Sequence, residues 1–276
     1  MARKSSSDSP PNKPPQAGAA QARGKPVGAV VAAIKVFRAL HDAQRPLSAS
    51  EVARATSLYR GTAFNILRTL QHQGLLVFDQ DRSTYYIGTQ LLEFAHGVLR
   101  TSGLMDTVRP EMFSLAETCG ATIFIAKVSD NYDLVLLDIV GGGFRADAYS
   151  GVGRRSPRFS GASGVIMAAF SGVSMDYVAD QYDATEWFKK PTSPDFFWRV
   201  RETKRLGYAV DRGNRRNGLT QVAVPVFHNT TGKLSMVITA VAFSYAMNER
   251  NIKSVAKHVR ACADRIAGQQ AKLRLD

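Results

Sequence analysis

The chain has 276 residues, 45% hydrophobic and 21% charged, the composition of a folded protein with one large domain or two ordinary ones. Its 36 Lys and Arg against 23 Asp and Glu leave a net charge of +13, which favours an anionic partner: nucleic acid, a membrane surface or an acidic ligand. Two cysteines, Cys119 and Cys262, without paired-Cys metal spacing, and the lack of any signal-peptide-like or bilayer-length apolar run exclude disulfide scaffolds and membrane-spanning chains; a reducing cytosol fits, with no metal and no cofactor expected.

Residues 1–26 carry Ser, Pro, Ala, Gly and Gln with almost no large apolar side chain, so they are expected to be disordered. Five basic residues (Arg3, Lys4, Lys13, Arg23, Lys25) against Asp8 make this segment either a solvated tail or a basic arm touching DNA phosphates. Helical periodicity begins near Val27, with Val30, Ile34, Phe37 and His41 on one stripe, widened by Val31 and Leu40. Arg45-Pro46 ends that helix, and Ser48-Ala49-Ser50-Glu51 has the spacing of a capping box opening a second, short helix. A third helix is predicted over 59–73, closed by Gly74, with Ala63, Ile66, Leu67 and Leu70 as its buried face. Two short strand patterns, 75–78 and 84–87, flank a polar turn. Three helices followed by a hairpin, spanning 27–88, define a winged helix-turn-helix.

An amphipathic linker helix is expected over 89–104, and a second domain over 105–276. There the sequence predicts a helix at 106–119, then strands at 121–128, 134–140 and 144–150. A basic, Gly-rich loop over 151–157 leads to a small-residue helix beginning near Gly161. Helices near 175–181 and 194–205, strands at 208–212, 219–227 and 234–243, and a closing helix from about 248 complete an antiparallel sheet flanked by helices. The fold class is therefore α+β.

In a helix-turn-helix the second helix enters the major groove. Opposite the buried stripe of the 59–73 helix lie Arg60, Gly61, Phe64, Asn65, Arg68 and Gln71, with Thr62 and Thr69 at the flanks and Tyr59 at the helix start also expected to meet DNA. Arg can bond guanine in bidentate fashion, Asn can bond adenine, and Phe can meet a thymine methyl. Arg82 in the wing turn, and Ser48 with Ser50 at a helix N-terminus, are suited to phosphate. The partner is double-stranded DNA, and a homodimer would present two recognition helices to a pseudo-palindromic operator.

The stretches "LSASEVARATSLYRGTAFNILRTLQHQGLL", "YYIGTQLLEFAHGVLR", "GVGRRSPRFSGASGVIMAAF" and "LGYAVDRGNRRNGLTQVAVPVF" resemble, in that order, the IclR family of bacterial transcription regulators. The resemblance implies a GAF-like C-terminal effector-binding domain, an assembly as dimer or dimer of dimers, and an effector pocket. Carried over by position, that pocket takes the backbone at Ala162 and Ser163 and the side chains of Asp211, Gln221 and Thr239. Three departures stand out. Asn65 stands where the family often has Arg, Val165 replaces a common Lys, and Gly213-Asn214 followed by Arg215-Arg216 replaces the usual acidic pair.

The residues themselves point the same way. Ser160-Gly161-Ala162-Ser163 opens a helix whose free N–H groups favour a carboxylate, and Arg154 or Arg155 can add a bidentate clamp. A small organic acid is the expected effector, with Phe159, Tyr149 and Phe144 favouring an aromatic one. Enzyme signatures are weak: Gly161-Ala162-Ser163-Gly164 lacks the second glycine of a nucleophile elbow, and the five histidines are scattered. Trp187, Phe188, Phe196, Phe197 and Trp198 are expected to serve core packing, with a ligand lid as the alternative. The reading is a cytoplasmic, nucleoid-associated regulator of a catabolic operon. Two alternatives stay open: the same fold acting on DNA without a ligand, or an enzyme domain fused to a DNA-binding module.

Overall fold

A computed structural model describes residues 25–94, 104–129, 131–141, 151–185 and 187–270. The expected basic arm, most of the linker helix, and the 144–150 strand with Phe144 and Tyr149 lie outside the described residues. The chain divides into two compact units, one ending at Ser102 and the other beginning at Gly103.

The N-terminal unit contains α1 (Gly28–Ala43), α2 (Ala49–Thr56), α3 (Arg60–His72) and a hairpin of β1 (Leu76–Asp79) and β2 (Thr84–Ile87). The hairpin pairs Leu76 with Ile87 and Asp79 with Thr84, and Leu47 bridges to Tyr85 from the α1–α2 connection. One core joins the pieces: Val36, Leu40, Leu47, Val52, Leu67, Leu70, Leu76 and Tyr85 are buried together. The capping box forms as the spacing predicts. Ser48 Oγ accepts the Glu51 N–H at 3.3 Å, and Glu51 Oε2 accepts the Ser48 N–H at 2.8 Å.

Helix α1 departs from the sequence expectation. Val30, Val31 and Ile34, assigned inward, are exposed; the buried positions are Ala32, Val36 and Leu40. The helix is apolar over much of its circumference, so periodicity identifies a helix without fixing its phase. Val27, at 66% exposure, extends the outward apolar stripe.

Residues 90–94, after the hairpin, are helical. The C-terminal unit then runs α4 (Leu104–Cys119), β3 (Thr122–Val128), β4 (Leu134–Val140), β5 (Arg155–Ser156), α5 (Gly161–Phe170), α6 (Met175–Ala184), α7 (Ser193–Leu206), β6 (Ala209–Arg212), β7 (Leu219–Phe227), β8 (Leu234–Phe243) and α8 (Ile252–Gln270). The sheet is antiparallel, in the order β5-β4-β3-β8-β7-β6. Side chains alternate across it. Ile123, Ile125, Val222, Val224, Ile238 and Ala240 pack on one face with Val108 and Met112 of α4 and Val259 and Ile266 of α8. On the other face Ala223 and Val237 pack with Ile166 of α5, Val178 of α6 and Val200 of α7. The fold is α+β and GAF-like.

Both thiols belong to the first of these cores. Burial raises the pKa of Cys119, and pushes that of Cys262 up to about 11. Neither is poised as a thiolate nucleophile.

The capping box gives a pH-dependent stability. Glu51 has its pKa lowered from 4.5 to about 2, chiefly by the Ser48 N–H and then by Arg45. A depressed folded pKa contributes stability that is full above the unfolded value and is lost as pH falls through 4.5 towards about 2. Acid titration followed by circular dichroism should therefore show a limb in that window that Glu51→Gln flattens. Ser48→Ala should cost about 1 kcal/mol at neutral pH.

Candidate functional site

Two regions gather the residues singled out by the sequence, one in each unit. In the N-terminal unit, α3 buries Ala63, Leu67 and Leu70, and this turns Arg60, Thr62, Phe64, Asn65 and Arg68 outward. Tyr59, the residue before the helix, is 90% exposed and supplies no side-chain cap, so the first N–H groups of α3 have no capping acceptor from it. The Arg68 guanidinium lies 5.9 Å from the Phe64 ring centroid, and this orients both side chains on the exposed face. Arg82 stands in the turn between β1 and β2, 77% exposed and 4.0 Å from Asp79. Ser50 is exposed, whereas the Ser48 hydroxyl is committed to Glu51. A carboxylate therefore already sits at the α2 N-terminus.

In the C-terminal unit a cavity of about 860 Å³ opens on the sheet face that carries Phe124, Leu136, Gln221, Thr239 and Val241. Its other walls are the β5 segment, Ala184, Thr185, Trp187 and Phe188, and the turn before β7. Arg154, Arg155, Ser163, Gln221 and Thr239, all singled out in the sequence, are among its lining residues. Ser160, Gly161, Ala162 and Asp211 lie outside the lining and hold it in shape.

Gln221 Oε1 accepts the Ala162 N–H at 3.3 Å, filling at the start of α5 a place expected for a ligand carboxylate. Arg215 reaches over the same helix start, donating to Ser160 Oγ at 3.0 Å and to Ser156 Oγ at 3.4 Å. Gly161, with φ +68°, makes room for both. A Cβ there would stand 2.8 Å from Arg215 Cδ and 2.8 Å from Gln221 Oε1. Asp211, 3% exposed, accepts the Arg215 N–H at 3.0 Å, with Arg199 3.9 Å away. Burial raises its pKa, opposed by the Arg215 N–H and by Arg199.

Sequence reasoning missed several walls. Asp133 lines the cavity and pairs with Arg155 and Arg158. Arg158 Nε donates to Asp133 at 2.8 Å and Arg158 Nη1 to Tyr177 Oη at 2.9 Å. Trp187 and Phe188 also line the cavity, the former beside Tyr182 and Phe196. Among the described residues, the buried side-chain atoms without a hydrogen-bond partner include Trp187 Nε1 and, on β3, Thr122 Oγ1. Asn214 locks this wall to the turn before β7: its carbonyl oxygen accepts the Lys189 N–H at 2.9 Å and its amide donates to the Lys189 carbonyl at 3.0 Å. The doublet Arg215-Arg216 was the available signal for this basic wall. Phe159, expected beside the ligand, is fully buried and packs edge-on against Tyr177, because its φ of +56° turns it beneath α5. Among the described residues, no group of His, Cys, Asp and Glu is arranged to hold a metal, and no helix is long and apolar enough to cross a membrane.

Comparison with known proteins agrees across the chain. Residues 29–80 match the IclR helix-turn-helix domain, and residues 96–268 match the C-terminal domain of bacterial transcriptional regulator IclR. The chain belongs to the IclR family of DNA-binding transcriptional regulators. It is 24% identical over 221 residues to the transcriptional regulator XynR of Escherichia coli, an alignment covering 79% of this chain and 86% of that protein. Its fold is shared with an IclR transcriptional regulator from Alicyclobacillus acidocaldarius, at TM-score 0.75, 18% identity, and coverage of 89% of this chain and 100% of the other. An IclR homologue from Microbacterium hydrocarbonoxydans, crystallised with 4-hydroxybenzoate, matches at TM-score 0.70 and 17% identity over 88% of this chain and 99% of its own.

Proposed function

We propose that this regulator senses a small organic acid and in response alters its hold on an operator controlling a catabolic operon. The observation that carries the reading is the cavity. Arg154, Arg155, Arg158, Arg215 and Arg216 line it beside an apolar floor of Phe124, Leu136 and Val241. The single carboxylate among the described lining residues, that of Asp133, is paired with Arg155 and Arg158 and leaves the wall strongly basic. Such a surface suits a carboxylate on a flat or apolar body. The 4-hydroxybenzoate held by the Microbacterium homologue adds support for an aromatic acid. Ser163, Gln221 and Thr239 supply polar groups to the ligand, while Ser160, Gly161, Ala162 and Asp211 set the position of Gln221 and Arg215.

On the DNA side, Tyr59, Arg60, Thr62, Phe64, Asn65 and Arg68 face the major groove, with Ser50 and Arg82 beside the phosphates and Ser48, engaged by Glu51, capping the helix rather than meeting a phosphate. The protein acts in the cytoplasm, on the nucleoid, as a homodimer or dimer of dimers and without enzymatic turnover. The outward apolar stripe of α1 favours self-association. The effector works by population shift: it must bind one DNA-binding arrangement better than another, because equal affinity shifts nothing.

Thermal melts of the full chain against a panel of aromatic and aliphatic acids, 4-hydroxybenzoate included, test the reading. A ligand at one hundred times its Kd should stabilise the protein by about 2.7 kcal/mol, in a concentration-dependent way. No shift with any acid would favour a ligand-independent regulator.

A further inference from the structure

We propose that Ser50, Arg54 and Arg60 form the seat of one DNA backbone phosphate, with Arg54 a contact that lies outside the recognition helix. The inference rests on the DNA-binding role of this unit and adds a residue to it. Between α2 and α3 lies a hollow of about 310 Å³ lined by Ser50, Ala53, Arg54, Leu58 and Arg60. Ala53 is buried, so the floor is a small apolar surface, and the polar groups stand at the rim. Ser50 and Arg54 are four residues apart and so share a face of α2. Arg60 opens α3 from the opposite side.

Charge decides what fits. Both guanidinium groups are exposed, and among the described residues neither Arg54 nor Arg60 has a carboxylate partner. Their neighbour Arg45, by contrast, is engaged by Glu51 at 2.8 Å. Two unpaired like charges lining one hollow make it attractive to an anion. The start of α3 adds to this preference: Tyr59 provides no side-chain cap, and a Cβ on Gly61 would meet nothing within 4 Å, so the backbone there is open to approach. The hollow adjoins the residue where the exposed face of α3 begins. A phosphate held there would fix the register in which Phe64, Asn65 and Arg68 meet base edges. Phosphate contacts position a protein on a duplex without reading sequence.

The test measures binding of the full chain to two duplexes of unrelated sequence, by fluorescence anisotropy, across a salt series of about 50 to 200 mM. Arg54→Ala should weaken both complexes alike and flatten the plot of log K against log salt by about 1. Arg54→Lys should restore the slope, since a phosphate accepts either cation, and this separates a charge contact from a structural role. An unchanged slope for a folded Arg54→Ala protein overturns the proposal, as does a loss confined to one sequence, which would mark a base contact. If inorganic phosphate raises the melting temperature through Arg54 while the duplex slope stays put, the seat is for a free anion and the backbone assignment fails. A wild-type chain with no affinity for either duplex at low salt would mark failure of the DNA reading itself, a separate outcome.

Discussion

Gly164→Ala should strongly destabilise the C-terminal unit. A Cβ at Gly164 would lie 2.2 Å from the Phe159 carbonyl carbon and 2.6 Å from its Cα, distances that backbone cannot accommodate without moving. Phe159 cannot yield easily. Its ring is fully buried against Tyr177, and its own backbone occupies the left-handed region, held there by the surrounding packing. Overpacking costs typically about 1–3 kcal/mol and more where the contact is backbone to backbone, so a loss at or above the upper end is expected. Phe159→Ala, which leaves a cavity instead, should cost about 3–5 kcal/mol. Chemical denaturation of the full chain, monitored at the C-terminal unit's Trp187 and Trp198, separates the two from effects on the N-terminal unit. A Gly164→Ala protein as stable as wild type would mean that this helix start packs otherwise.

Arg68→Ala should weaken operator binding by about 1–3 kcal/mol if its contact is a bidentate one to a base, which is roughly five- to 150-fold in Kd. The arginine rests near the Phe64 ring, so the substitution also frees an aromatic side chain that is 45% exposed. A gel-shift titration on the promoter fragment upstream of its own gene, against an unrelated duplex, is the measurement. The expected result is a larger loss on the promoter than on the unrelated DNA. Equal losses would reassign Arg68 to the phosphates, and no loss would mean that the exposed face of α3 does not read this duplex.

The elements of the N-terminal unit were legible because each carries its own local signal: a capping box, a stripe of Ala63, Leu67 and Leu70, and a polar turn between two apolar runs. The phase of α1 was not, since Val30 and Ile34 repeat with the same period as Val36 and Leu40. In the C-terminal unit the strands that fall within the described residues were read nearly to their ends, because β7 and β8 are largely apolar and buried along almost their whole length. The two-residue strand β5 was read as loop, being too short to show a period. The cavity was half legible. Gln221 and Thr239 stood out as polar interruptions of apolar strands, but Asp133, Arg158, Trp187 and Phe188 reach the cavity only through tertiary packing. Asp133 lies in a turn that reads as an ordinary hairpin connection, and its two arginine partners are 22 and 25 residues away.

The bare α-carbon at Gly161 has a consequence for how this sequence can diverge. Arg215 and Gln221 come from different segments, yet both occupy the volume that a methyl at 161 would claim. The three positions are thus tied together in mutational space. A descendant that acquires alanine at 161 meets two obstacles at once, a left-handed backbone with φ +68° that strains any side chain and the volume that Arg215 and Gln221 already fill. Shortening Arg215 or Gln221 beside Gly161→Ala should therefore relieve the crowding and leave the backbone cost in place, so pairwise substitution should show a partial epistasis.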